Sequence, residues 1–232
     1  MLLHYNKDRA AKHALFKSNI CTNFKSIAPN FQNEIVLNKH FAFIQIPKTS
    51  STNFLRQCRK QNMTCKHYCY RHEGLPYIEH FISKFLPVYA IVRNPFDHII
   101  SYFFHEIARN NFAYNKNKNL INSFRNFVPN NLNNVHLRQC DYIKSNRGIK
   151  VKTFKYENKD LNRYIMKYHG VNLQLNKFRY NQGSQSNKAS KLKKNCGIGI
   201  QQFYNKRIAN MVVKARRKEF NSFNYSTSVL DA

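Results

Sequence analysis

Two short, almost uninterrupted apolar runs constrain what this chain can become. FAFIQI at 41–46 and VYAIV at 88–92 lack the alternation of a strand with one wet face, and both are too short for a buried helix. Such runs read as strands covered on both sides, the situation in a parallel sheet between helices. Each breaks at once into a polar turn and then a helical pattern. After the first, Pro47 ends the strand, and residues 51–61 place Phe54, Leu55 and Cys58 on one helical face. After the second, Asn94 suits an N-cap, Pro95 the first helical position and Asp97 the third. Ile99, Ile100, Phe103 and Ile107 then recur at helical spacing to about Arg109. The alternation predicts an α/β fold, a single domain with a central parallel sheet flanked by helices.

Further along, residues 149–156 read as a third strand, and 160–169 as a helix stopped by Gly170. Residues 201–220 read as one closing amphipathic helix. Residues 110–135 are rich in Asn and Lys with embedded Phe112, Leu120, Phe124 and Phe127, the pattern of an irregular or short-helix insertion. Residues 181–197 read as a basic loop, and 1–35 as a polar, partly helical lead-in, which leaves 36–232 as the domain.

With 232 residues the chain can bury one core, and 19 Phe and 14 Tyr argue against disorder. Its 39 Lys and Arg outweigh 11 Asp and Glu for a net charge of +28, which points to an anionic partner. An AT-rich coding bias toward Lys, Asn, Ile, Tyr and Phe explains part of that excess, so charge alone names no partner. The scattered carboxylates disfavour calcium loops and two-metal sites. Six glycines, the first at Gly74, exclude a Walker A loop in the N-terminal third and any G-x-G-x-x-G. No apolar run approaches the ~20 residues of a membrane span. Charges occupy the start, where a signal peptide would be apolar, so the expected compartment is the cytoplasm, or the Golgi lumen if the chain is a trimmed piece. The six cysteines are expected as reduced thiols. The tract Cys65, His67, Cys69, His72 holds possible zinc ligands but lacks a second ligand pair, so no metal is expected.

The chemistry lies in the two turns. Lys48, Thr49, Ser50, Ser51 and Thr52 follow the first strand and open a helix, where backbone N–H groups, a lysine and hydroxyls can cradle phosphate or sulfate. Ser and Thr are also ordinary helix caps, so this segment alone fixes no ligand. Arg93 stands at the carboxyl end of the second strand, where open α/β sheets bind ligands. Ser101 lies eight residues on, roughly 9 Å along the helix from Pro95. Arginine and hydroxyl can meet on one anion, although an arginine that bonds loop carbonyls is the commoner arrangement.

Taken together, FIQIPKTSSTNF and VRNPFDHIISYF resemble the 5′-phosphosulfate and 3′-phosphate segments of the sulfotransferases that use 3′-phosphoadenosine 5′-phosphosulfate (PAPS). The wording is closest to the carbohydrate O-sulfotransferase branch that includes uronosyl 2-O-sulfotransferases. Phe154-Lys155-Tyr156-Glu157-Asn158 resembles that branch's strand ending in Glu-Asn, and Glu219-Phe220-Asn221-Ser222-Phe223-Asn224-Tyr225 its closing pattern, so the likeness spans residues 41–226. The resemblance implies a P-loop-like sulfotransferase fold and transfer of a sulfuryl group from PAPS to a hydroxyl acceptor, an anionic glycan above all, without a metal. Lys48 would sit on the leaving oxygen, residues 48–52 would hold the 5′-phosphosulfate, and Arg93 with Ser101 the 3′-phosphate. This chain has Ser50 where the family commonly has Gly or Ala, a change suited to a backbone with negative φ. His98 replaces a second arginine and removes one permanent charge.

The acceptor hydroxyl calls for a general base. In the resembled branch a histidine about twenty residues before the V-R-N-P arginine takes this part, and His72 is 21 residues before Arg93. Glu73 is the runner-up, with His67 and His80 behind it. The competing readings are a basic nucleic-acid-binding protein with interleaved aromatics, a P-loop-type nucleotide kinase, and a catalytically inactive relative that binds glycans. No helix-turn-helix, zinc-finger or RRM-type signature supports the first, so no specific nucleic acid is expected.

Overall fold

The computed structural model describes residues 36–37, 41–60, 74–79, 82, 86–109, 120–158, 160–172 and 185–232, all within the unit Asn33–Ala232. Strands β1 (Val36–Leu37), β2 (Ala42–Ile44), β3 (Val88–Val92) and β4 (Val151–Lys155) form a sheet in that order. β2, β3 and β4 run parallel, with Ile44 opposite Ala90 and Val92 opposite Lys155. β1 pairs antiparallel on β2, a strand the sequence pattern did not announce.

The apolar runs behave as expected of strands covered twice, and alternate residues divide between two cores. Ala42, Ile44, Val88, Ala90 and Val92 pack with Leu75, Cys140, Tyr142 and Phe223. Phe41, Phe43, Tyr89, Ile91 and Phe154 pack on the other side with Phe54, Cys58, Leu161 and Ile165. That second face is covered by helices α1 (Ser51–Lys60), whose Phe54 stacks on Phe43, and α6 (Asp160–His169). Gly170, at φ 66°, ends α6 as its C-terminal glycine, with its N–H bonded to the Met166 carbonyl. The first face receives α2 (Leu75–Ile78) and α5 (Gln139–Ile143).

The helix after β3, α3 (Pro95–Arg109), has the expected bounds, and Asn94 Oδ1 accepts from the Phe96 N–H at 2.9 Å as its cap. It is the centre of a third core, helix on helix, built from Phe96, Ile99, Ile100, Phe103 and Phe104 against Phe124, Phe203, Val212 and Phe220. Of the two forms expected of the insertion, its described part takes the helical one, α4 (Leu120–Asn131), which buries Leu120, Phe124 and Val128 at four-residue spacing. Two expectations need correction here. Part of the expected basic loop is a helix, α7 (Gln185–Asn195), packed on α3 through buried Ala189. The closing helix is three: α8 (Ile200–Phe203), α9 (Lys206–Ala215) and α10 (Arg217–Ser222). Asn205 caps α9 by accepting from the Ile208 N–H, and Tyr204 donates to the Phe96 carbonyl, so the chain breaks where it is tied to α3.

Candidate anion-binding site

The first turn, residues 47–50, joins β2 to α1. Two hydroxyls fold it: Thr49 Oγ1 and Ser51 Oγ both donate to the Ile46 carbonyl, at 2.9 and 3.1 Å. Thr49 is fully buried and Ser51 nearly so. Their hydrogens are spent on the turn, so their approach to an anion is through backbone N–H groups. The Ser50 carbonyl accepts from the Asn53 and Phe54 N–H groups and starts α1. Thr52 lies in the first turn of that helix, and its side chain is outside the described residues.

Reversing the chain in so few residues puts Lys48 at φ 62° and Ser50 at φ 70°, on either side of Thr49. Turns of this kind gather consecutive N–H groups into an anion-binding concavity. The condition under which serine suits this position, a negative φ, is not met: Ser50 occupies the left-handed region, where a side chain costs roughly 1 kcal/mol. Ser50→Gly is expected to raise stability by about 0.5–1 kcal/mol, read as a higher urea midpoint; an unchanged or lower midpoint would contradict the left-handed assignment.

The second turn is tied to the first. Arg93 Nη1 donates to the Lys48 carbonyl at 2.9 Å, and Arg93 Nε to Asp97 Oδ2 at 2.6 Å. The guanidinium lies 4.5 Å from the centre of the Tyr156 ring. Its main chain is held by fully buried Gln139, whose Oε1 accepts from the Arg93 N–H and whose Nε2 donates to the Arg93 carbonyl. Lys193, from α7, pairs with the other oxygen of Asp97. Burial pushes the Asp97 carboxyl up, but the Arg93 and Lys193 charges beside it outweigh burial and hold it below the usual carboxylate value. Two cations around one carboxylate leave a net positive charge.

Ser101 is half-buried on α3, four residues beyond Asp97 and so on the same face. No bond joins it to Arg93. Glu157 gathers two of the sequence motifs: Oε1 accepts from the Asn94 N–H and Oε2 from the Tyr225 hydroxyl, both at 2.8 Å.

His98 lies under the first turn, 1% exposed, with Nε2 at 2.8 Å from the Pro47 carbonyl. Burial pushes its pKa down to about 3, with the Arg93 and Arg216 charges acting the same way. The position where the resembled family carries a second arginine is thus held here by an uncharged side chain bonded to the first turn.

His72 and Glu73, the expected bases, lie outside the described residues, as do His67, His80 and the Cys65–Cys69 tract. The residue after them is placed. Gly74 packs so closely on α5 that a Cβ would meet Tyr142 Cα at 2.9 Å. Among the described residues no group of three His, Cys, Asp or Glu could hold a metal ion, and no helix is long and apolar enough to cross a membrane. Cys140 and Cys196 are free thiols, and burial pushes Cys140 up to about 11.

The functional reading of the residues missed Asp97 and Gln139, while Lys193, with Lys188, Lys191 and Lys194, was expected near the nucleotide without an assigned role. Asp97, in the first turn of α3, stands four residues after Arg93 in the preceding turn, a detectable ion-pair spacing. Gln139 comes from a distant segment with no local signal. No protein-family model matches the chain, and no curated protein or solved structure matches it.

Proposed function

We propose that this chain is a PAPS-dependent O-sulfotransferase with a P-loop-like fold and a carbohydrate hydroxyl as acceptor. The observation that carries the reading is the Arg93–Lys48 bond between the two turns. It sets a concave, lysine-bearing turn beside an arginine at the carboxyl ends of neighbouring parallel strands, the place where α/β sheets take nucleotides. A nucleotide with anions at both its 5′ and 3′ positions fits such a pair. Arg93 has five N–H groups and commits two to Asp97 and Lys48, which leaves three for an anion.

Bound PAPS would supply the sulfuryl group and its leaving phosphate. The N–H groups of residues 48–52 would orient the 5′-phosphosulfate, and Lys48 would offset negative charge growing on the leaving oxygen. Arg93 and Ser101 would hold the 3′-phosphate, with Asp97 and Lys193 fixing the guanidinium. His72 would take the proton of the acceptor hydroxyl, with Glu73 as the second candidate. The net charge of +28 favours an anionic glycan as the chain that carries that hydroxyl.

Adenosine 3′,5′-bisphosphate is expected to stabilise the fold by about 2.7 kcal/mol at 100 times its Kd, and 5′-AMP far less. Thermal melts with each nucleotide read this directly, and EDTA should leave the shift intact. Equal shifts for the two nucleotides would remove the 3′-phosphate assignment.

A further inference from the structure

The first turn is held from beneath at three successive carbonyls. Ile46 is bonded by Thr49 and Ser51, Pro47 by His98, and Lys48 by Arg93. A carbonyl can only accept, so His98 carries its proton on Nε2 and donates it to Pro47. No described peptide bond is cis, and in a trans peptide C=O and N–H point opposite ways. Fixing the Pro47 carbonyl toward His98 therefore turns the Lys48 N–H away from it. Arg93 does the same to the Thr49 N–H through the Lys48 carbonyl. These two N–H groups belong to the turn where Lys48 and Ser50 have positive φ.

We propose that His98 is a positioning residue for the anion cradle: its Nε2–H holds the Pro47 carbonyl on the protein side and so aims the Lys48 N–H at the bound phosphosulfate. His98 acts through the turn and touches no ligand. One buried, uncharged donor meets one acceptor there, with Arg93 and Arg216 opposing and Asp97 favouring its charging. The inference rests on the nucleotide-binding reading above for the identity of the ligand, not for the geometry of the turn.

The test compares His98→Phe, which keeps a buried ring without a donor, with His98→Gln, whose amide nitrogen can reach about as far as Nε2. Affinities for adenosine 3′,5′-bisphosphate and for inorganic pyrophosphate are read by calorimetry on the full chain. His98→Phe is expected to lose more than 10-fold for both anions, and His98→Gln to stay within about 3-fold of wild type, the cost of one mispositioned donor being on the order of 1.4 kcal/mol. Equal binding by both folded variants would overturn the positioning role. Nitrogen NMR of the wild-type imidazole covers the case in which His98→Phe does not fold. It should show the proton on Nε2 with no titration down to pH 5, and an Nδ1–H tautomer or a midpoint near the ordinary 6.5 would overturn the proposal. Wild type that binds pyrophosphate but not the bisphosphate defeats the sulfotransferase reading and leaves the pyrophosphate comparison to decide His98. Wild type that binds neither overturns both.

Discussion

His72→Ala is expected to lower turnover by roughly 10²–10⁴, the contribution of a lost general base, while leaving affinity for adenosine 3′,5′-bisphosphate nearly unchanged. A base that serves the acceptor has no part in holding the nucleotide. Lys48→Ala should differ in kind, with both turnover and nucleotide affinity falling, because the ammonium is assigned to the phosphosulfate and to its leaving oxygen. Glu73→Gln is the control. It should retain most of the activity, since adjacent side chains point in different directions. The assay uses labelled PAPS with a panel of uronic-acid-containing glycans. Near-normal turnover in His72→Ala with an inactive Glu73→Gln would move the base by one residue. Full activity in both would place it elsewhere in the chain.

Acid should destabilise this fold well before its carboxylates titrate. His98 has its pKa pushed down to about 3 from the ordinary 6.5. Between those values the unfolded chain binds a proton at residue 98 that the folded chain refuses. Stability therefore rises with pH in this window and falls on acidification, by about 1.4 kcal/mol per pH unit from this residue. From pH 6.5 to 4 the loss is roughly 3 kcal/mol, a large share of a typical domain's stability. Asp97 adds a separate slope at lower pH. Its pKa is lowered, because Arg93 and Lys193 outweigh burial. Its stabilisation is complete above the ordinary carboxylate value and is lost as pH falls through the folded one, below about pH 4. Urea unfolding at pH 7, 6, 5 and 4 should show a shallower pH dependence for His98→Gln than for wild type. Parallel curves would mean that His98 takes up a proton in the folded state as readily as in the unfolded one.

The parts of the fold that were legible in the sequence are those whose signal is local. β2 and β3 showed as apolar runs because both faces of each are buried, and α3 showed because Asn94, Pro95 and Asp97 mark its start within four residues. α4 carried its signal at Leu120, Phe124 and Val128, but Asn-rich surroundings and Pro129 obscured it. α7 had almost none. It buries Ala189 with Leu192 packed partly against the core, and its placement depends on α3 and on the Lys193–Asp97 pair. The division of the closing helix turns on Asn205 and Tyr204, whose tie to Phe96 crosses 108 residues.

The same distinction holds at the site. Both turns could be read from their residue types, since each is a strand-to-helix junction with its chemistry in a few consecutive positions. Their joining could not, because Arg93 meets the Lys48 carbonyl across 45 residues and His98 meets Pro47 across 51. Ser50 stands at the positive φ that a serine ordinarily avoids, in a turn closed by two hydroxyl bonds to the Ile46 carbonyl.

A crystal structure with adenosine 3′,5′-bisphosphate tests the central claim most directly. The 5′-phosphate should lie on the backbone N–H groups of residues 48–52 with the Lys48 ammonium beside it, and the 3′-phosphate should contact Arg93 and Ser101. Arg93 should keep its bonds to Asp97 and to the Lys48 carbonyl. A nucleotide bound elsewhere on the chain, or one whose 3′-phosphate faces solvent away from Arg93, would contradict the assignment of these two turns as one site.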